Sequence, residues 1–338
     1  MATNGGVVLN LIDWAKRLDP NGNTADVVNL LSQDNEMLAD MMFIESNGPT
    51  SHRTTVVTGE PTVSTRNFNA GAAQSKATTE QLDESMTMIE SYSEIDKDLC
   101  ELNGNAASFR LSEERPFLSA INKLAQSITL YGDVAANPGR FNGFATRFSA
   151  LTGGLYDNSM LTAGGSGSDN TSIWLIVWGG NTVHGIFPPG SKAGIVQEDL
   201  GRVTVETTAG VGGGRMEAYR THWQWKLGLA VRDWRYVVRL CNIDVSALVA
   251  NSSPYDLING MSRMMDRIPS FGMGKPVFYC NRTVFSWLRV QALAKSNYAL
   301  SATDALDQFG SPVRGGLSFG GIPIHKVDQI LTTEATVA

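Results

Sequence analysis

Apolar residues recurring every three or four positions mark two long amphipathic helices in the first half of the chain. Leu82, Met86, Ile89, Tyr92, Ile95, Leu99 and Leu102 trace the first, up to a stop at Gly104. Phe117, Leu118, Ile121, Leu124, Ile128 and Tyr131 trace the second, over about 114–132, with Gly132 as its stop. Glu113 and Glu114 would favour its positive end, and Pro116 is tolerated in a first turn because its missing N–H has no intrahelical partner there. A third stripe, Val27, Leu30, Leu31, Leu38, Met41 and Met42, predicts a helix near the N-terminus, capped by Thr24 and ended by Gly48 and Pro49. Between these lies a stretch, 49–79, rich in Thr, Ser and Gly. Only Thr54–Val57 and Val63–Phe68 in it look like strands, separated by Gly59, Glu60 and Pro61. With too few apolar residues to build a core, it reads as a projecting hairpin.

Beyond Gly132 the period shortens. Residues 133–170 are irregular, with Gly164, Gly165, Ser166, Gly167 and Ser168 as a flexible loop. Ser172–Trp178 is apolar at consecutive positions and so predicts a strand buried on both faces. Gly179, Gly180 and Asn181 offer the positive φ angles of a hairpin turn into Thr182–Phe187. Further on, Trp223, Trp225, Leu227, Leu229 and Val231 share one face of a strand, whereas Trp234, Tyr236, Val238 and Leu240 occupy even positions. A one-residue slip reverses the faces, which places a bulge or tight turn at Arg232 and Asp233 and leaves Arg232, Arg235 and Arg239 outside. Ser253 with Asp256 forms a capping box for a helix buried through Leu257, Ile258, Met261, Met264, Met265 and Ile268, which Pro269 ends. A strand at Pro276–Cys280 follows. Asn281 then caps a helix through Val284, Phe285, Leu288 and Leu293, and a last strand covers Ile322–Val327. No repeat of 20 to 50 residues is present.

Charge and cysteine content exclude several classes. The 338 residues carry 27 basic and 33 acidic side chains, a net charge of −6, so binding nucleic acid mainly by charge is disfavoured. Only 18% of residues are charged, against about a quarter in an average domain, with 42% hydrophobic. This implies a surface partly covered by something else. Cys100, Cys241 and Cys280 are odd in number and far apart, which argues against a disulfide framework or structural zinc and for a reducing cytoplasm. The longest apolar run, Ile173–Trp178, is far short of a membrane span, and the start MATNGGVVLN lacks a secretory pattern.

Candidate chemistry is thin. Gly185-Ile-Phe-Pro-Pro-Gly190-Ser191-Lys192 has the glycine spacing of a phosphate loop, but Ser-Lys reverses the required Lys-Ser/Thr, and no helix is predicted to follow. The glycines 210, 212, 213 and 214 lack the flanking strand and helix of a dinucleotide fingerprint. His52, His184, His222 and His325 fall in separate elements without metal-ligand spacing, and Ser166 is in no nucleophile elbow. The acid pairs Glu198/Asp199 and Asp304/Asp307 read as solvated or capping groups, and the Arg- and Trp-rich run Tyr219–Arg239 as a packed strand pair. No catalytic, cofactor-binding or metal-ligating residue is assigned, and the chain reads as no enzyme. A mixed α/β small-molecule enzyme is the competing class.

Lys275-Pro-Val-Phe-Tyr-Cys-Asn281-Arg-Thr-Val-Phe-Ser-Trp-Leu288, a strand ending in Asn before a helix, and Leu317-Ser-Phe-Gly320-Gly-Ile-Pro323-Ile324 resemble segments of the major capsid proteins of tailed bacteriophages, with the Hong Kong 97-like fold. The resemblance implies an α+β fold with an N-arm (1–44), an extended loop that is a β-hairpin (45–80), a peripheral domain (81–250) with a spine helix at about 114–132 and long strands at 172–240, and an axial domain (251–338). It implies self-assembly into pentamers and hexamers of an icosahedral shell around double-stranded DNA, touched non-specifically. Portal and scaffolding or cementing partners, residence in the virion and assembly in the host cytoplasm follow, with no membrane and no cofactor. A related nanocompartment shell holding protein cargo is the nearest alternative. Only fourteen residues follow Ile324, where the family returns to long strands, so a rearranged segment order is expected.

Overall fold

The computed structural model describes residues 36–102, 106–154, 156–206, 214–250, 255–293, 300–301 and 317–338. The helix expected from Thr24 and the glycines at 210–213 lie outside them, as do Asp304 and Asp307. Two compact units are distinguished: one from Met88–Ala125 and Lys192–Lys226, the other from Asp34–Thr87, Gln126–Ser191 and Leu227–Ala338.

The centre of the larger unit is β5 (Asn170–Trp178), buried at every position as its unbroken apolar run predicts. Antiparallel β9 (Val237–Asp244) pairs with it, Trp174 opposite Arg239. Antiparallel β10 (Lys275–Cys280) also pairs with it, Trp174 opposite Tyr279. Parallel β13 (Ile322–Lys326) extends the sheet from β10, followed by β12 (Leu317–Phe319), joined to β13 through Gly320 and Gly321. On one face Ile173, Leu175 and Val177 meet the helices Leu257–Asp266 and Arg282–Leu293 through Leu257, Met261, Met264, Val284 and Leu288. On the other, Trp174 packs against Phe144 and Phe148, with ring centroids 5.8 and 6.1 Å away. Strands β5 and β9 therefore belong to one sheet with the C-terminal strands.

Several local expectations are corrected. Gly179 and Gly180 do not take positive φ and make no hairpin; β5 and β6 (Val183–Phe187) share a single parallel register pair, Trp178 with Val183. Gly179 is needed for room, since a Cβ there would lie 2.7 Å from the Met273 carbonyl oxygen. β6 instead pairs with β1 (Phe43–Glu45), so the N-terminal stripe ends earlier than expected, in a single helical turn at Met37–Asp40. Asp256 caps the helix Leu257–Asp266, accepting from the Ile258 and Asn259 amides, while its expected capping partner Ser253 lies outside the described residues. The turn at Arg232 and Asp233 is present and continues into a 3-10 turn at Trp234–Tyr236.

The largest correction concerns 82–102. Instead of a helix, Thr78–Asp96 forms the long strand β3, and only Lys97–Glu101 is helical, capped by Asp96. Buried positions Thr87, Ile89, Ser93 and Ile95 alternate along it. Ile89 and Ile95, six residues apart, share one face of a strand but stand about 120° apart around a helix, and hydrogen bonding to neighbouring strands holds the segment as a strand. The hairpin accordingly runs from β2 (Ser51–Gly59) to β3, not to Val63–Phe68.

In the smaller unit β7 (Ile195–Glu206) pairs antiparallel with β8 (Arg215–Val231) from Ile195 opposite Trp225 to Glu206 opposite Arg215. Trp223 and Trp225 are buried as predicted, whereas Arg239, expected outside, is 3% exposed. The long helix spans Ala106–Tyr131, so Pro116 stands well inside it and Glu113 and Glu114 are buried mid-helix residues. Gly132 does stop the helix: a Cβ there would meet the Ile128 and Phe141 carbonyl oxygens at 2.5 and 2.3 Å.

Candidate assembly surfaces

The hairpin β2–β3 is the most exposed feature of the larger unit. Its strands pair from Ser51 opposite Ser85 outward to Gly59 opposite Thr78, with a bulge after Val57. Residues 60–77 form a loop exposed throughout. Three apolar side chains stand in water there and at its approach: Val57, Val63 and Phe68, the last 99% exposed. Phe68 tops a turn in which the Ala70 amide donates to the Asn67 carbonyl and Asn69 takes a positive φ of 64°. The hairpin's base is secured. The Asn47 side chain pairs with both backbone groups of Arg53, and Arg53 grips Asp83 at 2.7 and 2.8 Å. The Glu84 carboxylate, itself buried, takes a two-pronged ion pair from the partly buried Arg147.

Two polar nodes fasten distant chain segments to the sheet. Asp40 at the end of the N-terminal turn accepts from Lys275 Nζ at 2.7 Å and Tyr279 Oη at 2.8 Å, and meets His325 Nδ1 at 2.5 Å. Burial alone would raise the Asp40 pKa, but the bonds from His325, Lys275 and Tyr279 outweigh it and hold the carboxyl below its ordinary range. Arg239 donates to the Ser172 hydroxyl, the Phe148 carbonyl and the Glu334 carboxylate, and lies over the Trp174 ring at 4.9 Å. Glu334 also accepts from Tyr131 Oη at 2.5 Å, so the chain's last residues bind the end of the long helix.

In the smaller unit Arg110 reaches Asp199 at 2.9 Å and Thr221 at 3.1 Å, and Thr221 donates to Glu114 at 2.6 Å. These contacts fix the first turns of the helix on β7 and β8. Asp199, expected as a solvated or capping group, is half exposed and accepts from the Gly201 amide, and it also pairs with Arg110, whose hydrogen bond lowers its pKa.

Among the described residues these contacts anchor surfaces and segments to one another. Gly190 of the phosphate-loop-like segment donates its amide to Glu45, so a carboxylate stands where an anion would bind, and a loop and strand follow instead of a helix. The histidines are dispersed: His222 stacks on Tyr92, His325 meets Asp40, and only His52 and His184 adjoin. Among the described residues no three His, Cys, Asp or Glu side chains are placed to hold a metal ion, and no helix is long and apolar enough to cross a membrane. All three cysteines are buried, and burial pushes the thiol pKa up, to about 11 for Cys100 and Cys241 and higher for Cys280. The two nodes were not seen in the sequence. The partners of Arg239 lie 67 to 95 positions away and those of Asp40 235 to 285, and only their buried setting separates them from surface charges.

A central mixed sheet with flanking helices, one long helix beside long strands, and a projecting hairpin define the Hong Kong 97-like architecture of phage shell proteins. The solved capsid structure of bacteriophage epsilon15 shares it, with a TM-score of 0.77 at 33% identity over 100% of this chain and 99% of that one. The chain belongs to the family described as major capsid protein GP7, whose model matches residues 19–338. It is a structural protein of the virion. More remote likenesses are the capsid of a native GTA particle (9% identity, TM-score 0.47, 66% of this chain and 95% of that) and the SrpI encapsulin of Synechococcus elongatus (9%, 0.46, 70% and 96%). A sequence search of curated proteins finds no match.

Proposed function

We propose that the chain builds an icosahedral shell around double-stranded DNA by laying its β2–β3 hairpin on a neighbouring copy. The observation that carries this is the loop 60–77, exposed over its whole length with Val63 and Phe68 in water, a cost that only burial against a partner offsets. Residues 1–44 serve as an arm and 45–80 as the extended loop, whose second strand β3 runs on to Asp96. The stretch 81–250, apart from β5 and β9, supplies the peripheral elements, and 251–338, joined by β5 and β9, the axial elements around five- and six-fold axes. The shell carries out no catalysis. It takes a portal and scaffolding or cementing proteins as partners, touches DNA diffusely, and forms in the host cytoplasm.

Sedimentation velocity at micromolar concentration tests the proposal. Closed shells, or pentamers and hexamers, are the expected species. A 36.5 kDa monomer that neither crowding nor a scaffold converts would overturn it.

A further inference from the structure

His184 on β6 is 1% exposed, and neither of its ring nitrogens makes a well-formed hydrogen bond, although the Gly179 carbonyl lies close enough to favour its protonated form. A buried polar group left unsatisfied costs stability and calls for an explanation. Its position supplies one. The ring of His52, in the second position of β2, meets the His184 ring edge to face, with centroids 5.9 Å apart. The contact joins the base of the extended hairpin to the central sheet.

The charges around this pair are set against protonation. Arg232, whose guanidinium donates to the Gly180 carbonyl and the Asn181 side chain, repels a charge on either ring. Glu84, opposite His52 in the hairpin register, favours a charge on His52, but its carboxylate is already engaged by Arg147. The Gly179 carbonyl favours a charge on His184. Burial outweighs it, and His52 and Arg232 add to the effect, so the His184 pKa falls to about 4; burial and Arg232 likewise lower that of His52.

We infer that His52 and His184 form an acid-sensitive latch at the base of the hairpin, closed while both rings are neutral and released when they gain protons. The inference rests on the assembly reading above and names what regulates the same hairpin. An open base hydrates His184 and restores its ordinary affinity for protons, near 6.5. The open form therefore takes up protons that the closed form refuses. The latch is most secure above about pH 6.5, and opening becomes progressively easier as pH falls from there to about 4, by up to about 300-fold for His184 alone.

Amide hydrogen exchange on the unassembled full chain, corrected for intrinsic rates, reads this directly. Between about pH 7.5 and about pH 5, protection at Thr54–Val56 and Leu82–Ser85 is expected to fall more than tenfold, while Ile121–Ile128 of the long helix holds. His184→Phe, which keeps a ring and cannot be charged, is expected to remove most of the fall; His222→Phe is not. Hairpin protection constant across this range, an equal fall in the helix, or an undiminished fall in His184→Phe would overturn the latch. If His184→Phe does not fold, the wild-type comparison of hairpin with helix decides. Assembly at about pH 7.5, read by sedimentation, separates the two proposals: shells with a pH-insensitive hairpin refute the latch alone, and a persistent monomer refutes the assembly reading alone.

Discussion

Arg239 is a charge taken out of water, held by the Ser172 hydroxyl, the Phe148 carbonyl and the Glu334 carboxylate. Removing one partner of such a pair leaves the other uncompensated in low dielectric, which costs more than the pair contributes. Glu334→Ala is expected to destabilise the subunit by about 3–5 kcal/mol in urea unfolding, with Arg53→Ala on the exposed hairpin surface showing little change. An equal loss in the two variants would show that Arg239 is adequately solvated without Glu334. Asp40 adds a pH dependence of its own. Because its folded pKa is depressed, its contribution is present above the ordinary carboxylate pKa and is lost as pH falls through the lowered value. Neither role was legible in the sequence. Strand alternation put Arg239 on an outer face, but β9 is buried on both, and no local pattern shows that a carboxylate 95 positions later covers the guanidinium.

At the scale of elements, the long helix was legible in its period and its stop, and less so in the face it buries. Ile121, Ala125 and Ile128 are buried, but so are Gln126, Thr129 and Leu130, whereas Leu124, which the apolar stripe includes, is 41% exposed. The last turns are enclosed on more than one side, which a single stripe cannot express. Ile121→Ala is therefore expected to cost about 2–5 kcal/mol and Leu124→Ala less than about 1 kcal/mol. Chemical denaturation distinguishes them, and a larger loss for Leu124→Ala would mean that a different face is buried. The strand β3 was misread for a simpler reason. Its apolar residues step by the helical three or four, and the strand partners that override this period, β2 and β8, lie elsewhere in the sequence.

For the whole molecule, the architecture was legible through short motifs near the C-terminus, because Asn281 does cap the helix after β10 and Gly320 and Gly321 do turn the chain between β12 and β13. The sharing of β5 and β9 with the C-terminal strands was not, since strand order in a mixed sheet leaves no mark on local periodicity. Two further outcomes belong to this scale. Ordering the 18-residue loop 60–77 costs roughly 1–2 kcal/mol per residue, and its few apolar side chains offset little of that in a lone subunit. Its amides are expected to exchange freely in unassembled protein and slowly in shells; protection in the free subunit equal to that of the long helix would remove the argument for a neighbour. DNA contact follows from charge. A chain of net charge −6 repels a polyanion on average and attracts it only through local basic patches, and such attraction is lost as counterions compete. Duplex binding by the unassembled protein is expected to be weak, independent of sequence, and abolished by modest salt. Nanomolar, sequence-dependent binding in a filter or anisotropy assay at physiological salt would mean that the protein reads DNA and does more than enclose it.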